Sequence, residues 1–164
     1  MLRKLIVTGI IISSTALLSF LSQRPPGPAE SVKTFYLQQA AQLEQQILNL
    51  QQLIPSGNEK KLQQQFLKMR SAYKLIEGIT EYYFDFFAVK LNGPPIPFFE
   101  EEEADMGIQP PAGMQVIEGL LFPAYKTTSK KKLNETVENL LGDTRTMQKT
   151  KESFAFNDEY ILMQ

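Results

Sequence analysis

Residues 31–83 read SVKTFYLQQAAQLEQQILNLQQLIPSGNEKKLQQQFLKMRSAYKLIEGITEYY, and the spacing of apolar side chains in this stretch decides the fold. Tyr36, Ala40, Leu43, Ile47, Leu50 and Ile54 follow one another four and three residues apart, the signature of one buried face of an α-helix. Ser31 stands where a side-chain oxygen can cap that helix. Pro55-Ser56-Gly57-Asn58 then breaks the chain, and a second stripe at Leu62, Phe66, Met69, Tyr73, Ile76, Thr80 and Tyr83 predicts a second helix running through Tyr83. So short a connection predicts an antiparallel hairpin. The other faces of the first helix are rich in glutamine, from Gln38 and Gln39 to Gln51 and Gln52, and read as solvated flanks of the apolar stripe.

Outward from the hairpin the pattern stays helical. Asn92-Gly93-Pro94-Pro95-Ile96-Pro97 stops regular structure, and the segment to Ala112 reads as a long loop carrying the acidic run Glu100 to Asp105. A calcium site needs spaced ligands and turns, so adjacent carboxylates of this kind read as a solvated loop. Gly113 to Phe122 reads as a short, mostly buried helix ended by Pro123. A last helix begins near Ser129, with Leu133, Val137, Leu140, Thr144, Met147, Lys151 and Phe154 on one stripe. Its first turn holds Lys130, Lys131 and Lys132, which oppose the helix dipole. The expected fold is all-α, an up-down bundle of about four helices.

The termini read differently. Met1-Leu2-Arg3-Lys4 is a short basic start, and Leu5 to Leu21 is uncharged and mostly apolar, so residues 1–22 are expected to be a cleaved export signal or a retained membrane anchor. The proline-rich residues 23–30 read as a linker, and 31–164 as one helical domain whose apolar end, Tyr160 to Gln164, suggests that it is incomplete there. The expected location is the periplasm or cell envelope, with membrane contact only through the N-terminal segment.

Composition removes many functions. The 164 residues include no cysteine and no histidine. The chain therefore holds no C-x-x-C-H haem motif, no Cys/His zinc site, no histidine-based catalytic triad and no disulfide. The formal net charge is −1, and taking away Arg3 and Lys4 leaves −3. Nucleic-acid binding is not expected, because phosphate contacts need a clustered basic surface.

Four pieces in order carry a resemblance: R-S-A-Y-K-L-I-E (70–77), K-L-N-G-P-P-I-P (90–97), E-E-E-E (100–103) and P-A-G-M-Q-V-I-E-G-L-L-F (111–122). Together they resemble the imelysin-like helical region that precedes the haem domains in one group of bacterial di-haem cytochrome c peroxidases. Gly113-Met114-Gln115-Val116-Ile117-Glu118 is similar to the imelysin G-x-H-x-x-E signature, with Gln115 where the family has histidine. The resemblance implies a non-catalytic module that packs against a di-haem c-type domain in cis or in trans. Haem c is then expected only on that domain, and no cofactor in this chain. The broader imelysin resemblance implies an alternative, a binding module in envelope iron or haem uptake. Imelysins have also been classed among peptidases, but no nucleophile with a base is visible here.

The candidate polar cluster consists of Arg70, Tyr73, Lys74, Glu77, Gln115 and Glu118. Arg70, Lys74, Glu77 and Glu81 are spaced 4-3-4, which sets them along one side of the second helix as a charge ladder. That ladder is either a solvated face or part of an internal site. Glu118 sits among apolar neighbours, so it pairs with a cation such as Arg70 or Lys74, points outward, or contacts a metal or ligand. Gln115 is a poor transition-metal ligand beside imidazole. Phe84, Phe86, Phe87, Phe98 and Phe99 either cap the core or form an apolar docking patch.

Overall fold

Helix α1, Pro28–Leu53, starts three residues before the expected Ser31. Gly27 is its N-cap, Pro28 occupies the first turn, and the Ser31 amide donates to the Gly27 carbonyl at 3.0 Å. Proline suits this position because its missing N–H would have no helical partner there, so the linker ends earlier than residue 30. The structure is a computed structural model that describes residues 26–94, 98–99, 108–109 and 111–150. The N-terminal signal or anchor segment, the acidic run Glu100 to Asp105 and the apolar C-terminal stretch lie outside the described residues.

A 3-10 turn, Ile54–Ser56, ends α1, and Gly57 follows with φ +62°, a left-handed conformation that costs glycine little. Asn58 then caps α2, Glu59–Lys74, its Oδ1 accepting the Lys61 amide at 3.0 Å. The expected second helix is not continuous. Ile76 (φ −115°, ψ −6°) separates α2 from α3, Glu77–Tyr83, and Phe84 (φ −141°, ψ 46°) separates α3 from α4, Asp85–Asn92. The β-branched and aromatic residues that crowd this stretch hold a helix weakly. Thr80 adds to this by donating its hydroxyl to the Ile76 carbonyl at 2.8 Å. The stripe survives the breaks: Leu62, Phe66, Met69, Tyr73, Ile76 and Thr80 are all buried.

The long loop contains a small ladder that the sequence reading did not expect. Strand β1, Phe98–Phe99, pairs antiparallel with β2, Ile108–Gln109, in the register Phe98 to Gln109 and Phe99 to Ile108. Helix α5, Gly113–Leu121, and α6, Lys130–Thr150, complete the six α-helices among the described residues. Except for that ladder, the described residues are all-α. None of these helices is long and apolar enough to cross a membrane.

Side-chain contacts fix the topology. Gln65 Nε2 reaches the Gln46 carbonyl at 3.0 Å, which pairs α2 with α1 across the short turn. Lys130 Nζ donates to the Pro55 carbonyl at one end of α6, and Tyr36 donates to Met147 Sδ at the other. Helix α6 therefore runs antiparallel to α1 over nearly its whole length. Gln63 donates to the Leu121 carbonyl and Arg70 pairs with Glu118, so α5 lies antiparallel along α2. Helices α4, α5 and α6 also pack on one another. The core they enclose holds Tyr36, Leu43, Ile47, Phe66, Met69, Tyr73, Met114, Ile117, Leu133, Val137, Leu140 and Met147, each 1% exposed or less.

Candidate functional site

The six candidate residues divide between α2, the start of α3, and α5. Arg70, one turn before the end of α2, points across to α5 and its Nη1 binds Glu118 Oε2. Their side chains are 30% and 40% exposed, so the pair is neither a free surface contact nor a dry internal one. A pair this open stabilises the fold by about 0.2–1 kcal/mol. Of the three environments open to Glu118 from the sequence, the structure has the cation partner.

Lys74 and Glu77 form a separate unit at the α2–α3 bend. Lys74 Nζ donates to both carboxylate oxygens of Glu77 at 2.6 Å, and Asn92 Nδ2 approaches Glu77 Oε1 at 3.4 Å. Glu77 also sits in the first turn of α3, where a negative charge complements the exposed amides. Glu81 is exposed, so the 4-3-4 charge ladder becomes two ion pairs and a solvated carboxylate. No hydrogen bond among the described residues joins the Arg70 pair to the Lys74 pair.

Tyr73 belongs to the core instead. It is 1% exposed, and its hydroxyl has no hydrogen-bond partner among the described residues. Burial, reinforced by the negative charges of Glu77 and Glu81, pushes its phenol far above the ordinary range. Nearby Tyr36 is fully buried and pushed up to about 12 by the same loss of water, partly offset by its bond to Thr80. Tyr36 Oη lies 3.2 Å from Thr80 Oγ1 and 3.3 Å from Met147 Sδ. Since the Thr80 proton goes to the Ile76 carbonyl, the Tyr36 proton is shared between the Thr80 oxygen and the Met147 sulfur. The Tyr36 ring stacks on Phe84 with centroids 5.7 Å apart.

Gln115 is half-buried on α5, one turn before Glu118, and its side chain makes no hydrogen bond to a described residue. The glycine two positions earlier has a physical reason to be glycine. Gly113 has φ +65°, and an ideal Cβ there would stand 2.2 Å from the Leu91 carbonyl oxygen. Any side chain would push α5 off the end of α4. The G-x-Q-x-x-E segment thus supplies a close backbone crossing at its start and an interhelical ion pair at its end.

Two tertiary ion pairs were missed in the sequence. Arg145 Nε meets Glu44 at 2.7 Å and Lys90 meets Asp143 at 3.6 Å. Glu44 lies beside the apolar stripe of α1 and carries no local sign of a partner 101 residues away. Of the five phenylalanines around the Pro-rich turn, Phe84 and Phe87 are buried and Phe86 is 63% exposed, so they divide between core and surface. The side chains of Phe98 and Phe99 lie outside the described residues. Among the described residues no three acidic side chains gather closely enough to hold a metal ion.

No protein-family model, no curated protein and no solved structure matches the chain.

Proposed function

We propose that this chain is a non-catalytic, imelysin-like helical module of the cell envelope that packs against a di-haem c-type domain of the cytochrome c peroxidase kind, in cis or in trans. The observation that supports this reading is the engagement of Glu118 by Arg70. In this arrangement the acidic residue of the G-x-Q-x-x-E segment joins two helices and is not held free for a metal or a substrate. A second apolar feature fits the same role: Tyr82, Phe86 and Val89 on α3 and α4 are 54%, 63% and 42% exposed and offer a surface for a neighbouring domain.

The test uses native cells, a denaturing gel with a haem-peroxidase stain, and an antibody raised against residues 30–128. A haem-staining band much larger than 18.7 kDa supports the module in cis. A band near that mass supports the module in trans if chemical cross-linking in the cells joins it to a haem-staining protein. A band near that mass that cross-links to no haem protein overturns the proposal.

A further inference from the structure

Folding gathers positive charge that the sequence keeps apart. Along the chain there is one run of three lysines, Lys130, Lys131 and Lys132, at the start of α6. Lys130 Nζ donates to the Pro55 carbonyl at 3.0 Å, which sets the start of α6 level with the turn between α1 and α2. Gln63 Nε2 reaches the Leu121 carbonyl at 2.8 Å, and the Phe66 and Phe122 rings meet edge to face at 5.9 Å, so the α5–α6 connection lies at the same end of the bundle. Lys60 and Lys61, in the first turn of α2, and Lys126, in that connection, therefore join the other three. All six are exposed. Residues 51–66 and 121–137, which build this end, hold two carboxylates: Glu59, which accepts from Gln63, and Glu135, 4.0 Å from Lys131. The end carries a surplus of four positive charges in a chain of formal net charge −1, which leaves −5 on the rest.

Such an end attracts an anion, and its composition decides which kind. Protein interfaces are depleted in lysine and anchored by aromatic, methionine and arginine side chains. This end has six lysines and no arginine, and the large apolar side chains left exposed among the described residues, Phe35, Leu67, Leu75, Tyr82, Phe86 and Val89, all lie elsewhere. A nucleic acid running along the molecule would meet its negative remainder. An anionic lipid surface is a plane that touches one end alone, and two connections standing level present their lysines to a plane together. Clusters of about four to eight basic residues draw a protein to such a surface through its potential, within about a Debye length and with no apolar insertion.

We infer that the lysine-rich end of the bundle, formed by the α1–α2 turn and the α5–α6 connection, docks on the headgroup surface of an anionic lipid bilayer. The contact is electrostatic and reversible, and it is separate from the membrane contact expected of the N-terminal segment. That segment joins α1 at its far end, and the 26 residues of α1 set the two ends ~39 Å apart. Phe84 stacks on Tyr36 near the start of α1, so the α3–α4 surface stays clear of this contact.

The absence of cysteine makes the test direct. The full-length chain carries a fluorophore on a single cysteine, Thr128→Cys at the lysine-rich end or Ser31→Cys at the start of α1, both exposed positions. It is added to vesicles bearing a headgroup quencher, made of phosphatidylcholine alone or with about 30% phosphatidylglycerol, at about 50 mM salt. The readout is which end meets the surface, so insertion of residues 1–22 into either vesicle does not mimic docking. The Thr128→Cys label should be quenched on anionic vesicles and not on neutral ones, and about 500 mM salt should release it. The Ser31→Cys label should gain no quenching from lipid charge. Lys60→Gln with Lys61→Gln, and Lys131→Gln with Lys132→Gln, should each lower the ratio of docked to free ends by at least about fivefold, the factor for one lysine near an anionic surface. Lys33→Gln with Lys149→Gln makes the same change in net charge at the opposite end and should lower it less than about twofold. All these side chains lie at the surface, and circular dichroism checks that the variants fold. Equal quenching on the two lipids, an equal gain at the two labels, or quenching that survives high salt overturns the inference. A silent Lys60–Lys61 pair overturns it by leaving only the local run on α6, and an equal loss through Lys33 and Lys149 by leaving only net charge. If polyglutamate in solution shifts the Thr128→Cys signal and anionic vesicles do not, the partner is an acidic protein and the inference is likewise overturned.

Discussion

Two phenols in the core differ by a single feature, and that difference predicts opposite responses to the same substitution. Tyr36 and Tyr73 are each 1% exposed or less, but Tyr36 shares its proton with Thr80 and Met147 while the Tyr73 hydroxyl has no partner among the described residues. Tyr36→Phe removes a made hydrogen bond. It leaves Thr80 still donating to the Ile76 carbonyl and strands only the weak sulfur acceptor, so the loss is about 1 kcal/mol. Tyr73→Phe removes a buried hydroxyl with no protein partner among the described residues, and should relieve a penalty of about 1–2 kcal/mol. Neither change opens a cavity, because the ring stays. Urea denaturation followed by far-ultraviolet circular dichroism measures both, with the midpoint shift read at constant slope. The melting temperature should fall by about 2–5 °C for Tyr36→Phe and rise by a similar amount for Tyr73→Phe. If Tyr73→Phe costs 1 kcal/mol or more, the hydroxyl is satisfied, most simply by a buried water, and the reasoning fails.

The same residues set the alkaline limit. Both phenols titrate above their ordinary value of 10.0 in the folded state, so once the pH passes that value the unfolded chain releases protons that the folded chain retains. Stability should be unaffected below pH 10 and then fall by up to about 1.4 kcal/mol per pH unit for each phenol; a profile unchanged in the Tyr36→Phe, Tyr73→Phe double variant would refute this. For the Arg70–Glu118 pair, a double-mutant cycle with Arg70→Met and Glu118→Gln should give a coupling of about 0.2–1 kcal/mol that shrinks in high salt, and a coupling above 3 kcal/mol would mean a far drier pair. Glu118→Gln should leave any ferrous or ferric iron binding by the chain unchanged in a calorimetric titration; its loss would revive the iron-uptake alternative. Gly113→Ala should cost at least about 2 kcal/mol in thermal melts, from the left-handed backbone together with the approach to Leu91, whereas a neutral result would place α5 differently.

The sequence was most legible where periodicity was long. The stripes of α1 and α6 name nearly all the residues those helices bury, because a partner on one side forces the apolar set to recur with the helical period. The second stripe was read with the same success in burial but not in continuity. Periodicity is blind to Ile76 and Phe84, where the backbone leaves helical geometry without changing which side faces inward. The β1–β2 ladder joins two dipeptides across an acidic run, too short to leave a period of two. Within the candidate site, the cost of an unpaired carboxylate among apolar neighbours left three environments open to Glu118, of which pairing with a cation such as Arg70 or Lys74 was one, and the choice of Arg70 is made by the packing of α5 on α2. The separation of Lys74 and Glu77 from that pair, and the burial of Tyr73 away from both, depend on helix rotation that spacing does not report. Gly113 was visible only as part of a motif; its left-handed backbone against Leu91 is a tertiary fact.

The antiparallel pairing of α1 with α6 sets an order of events in the cell. Tyr36 waits for Met147, 111 residues downstream, and Glu44 waits for Arg145, 101 residues downstream. At roughly 5–20 residues per second, translation leaves the inner face of α1 without its final neighbour for roughly 5–20 s. During that interval the hairpin of α1 and α2 is a half-closed book with its apolar pages open, and whatever receives the nascent chain must keep it from closing on a stranger. A polypeptide that cannot finish folding until its last long helix is made stays open to any neighbour for the whole of that interval.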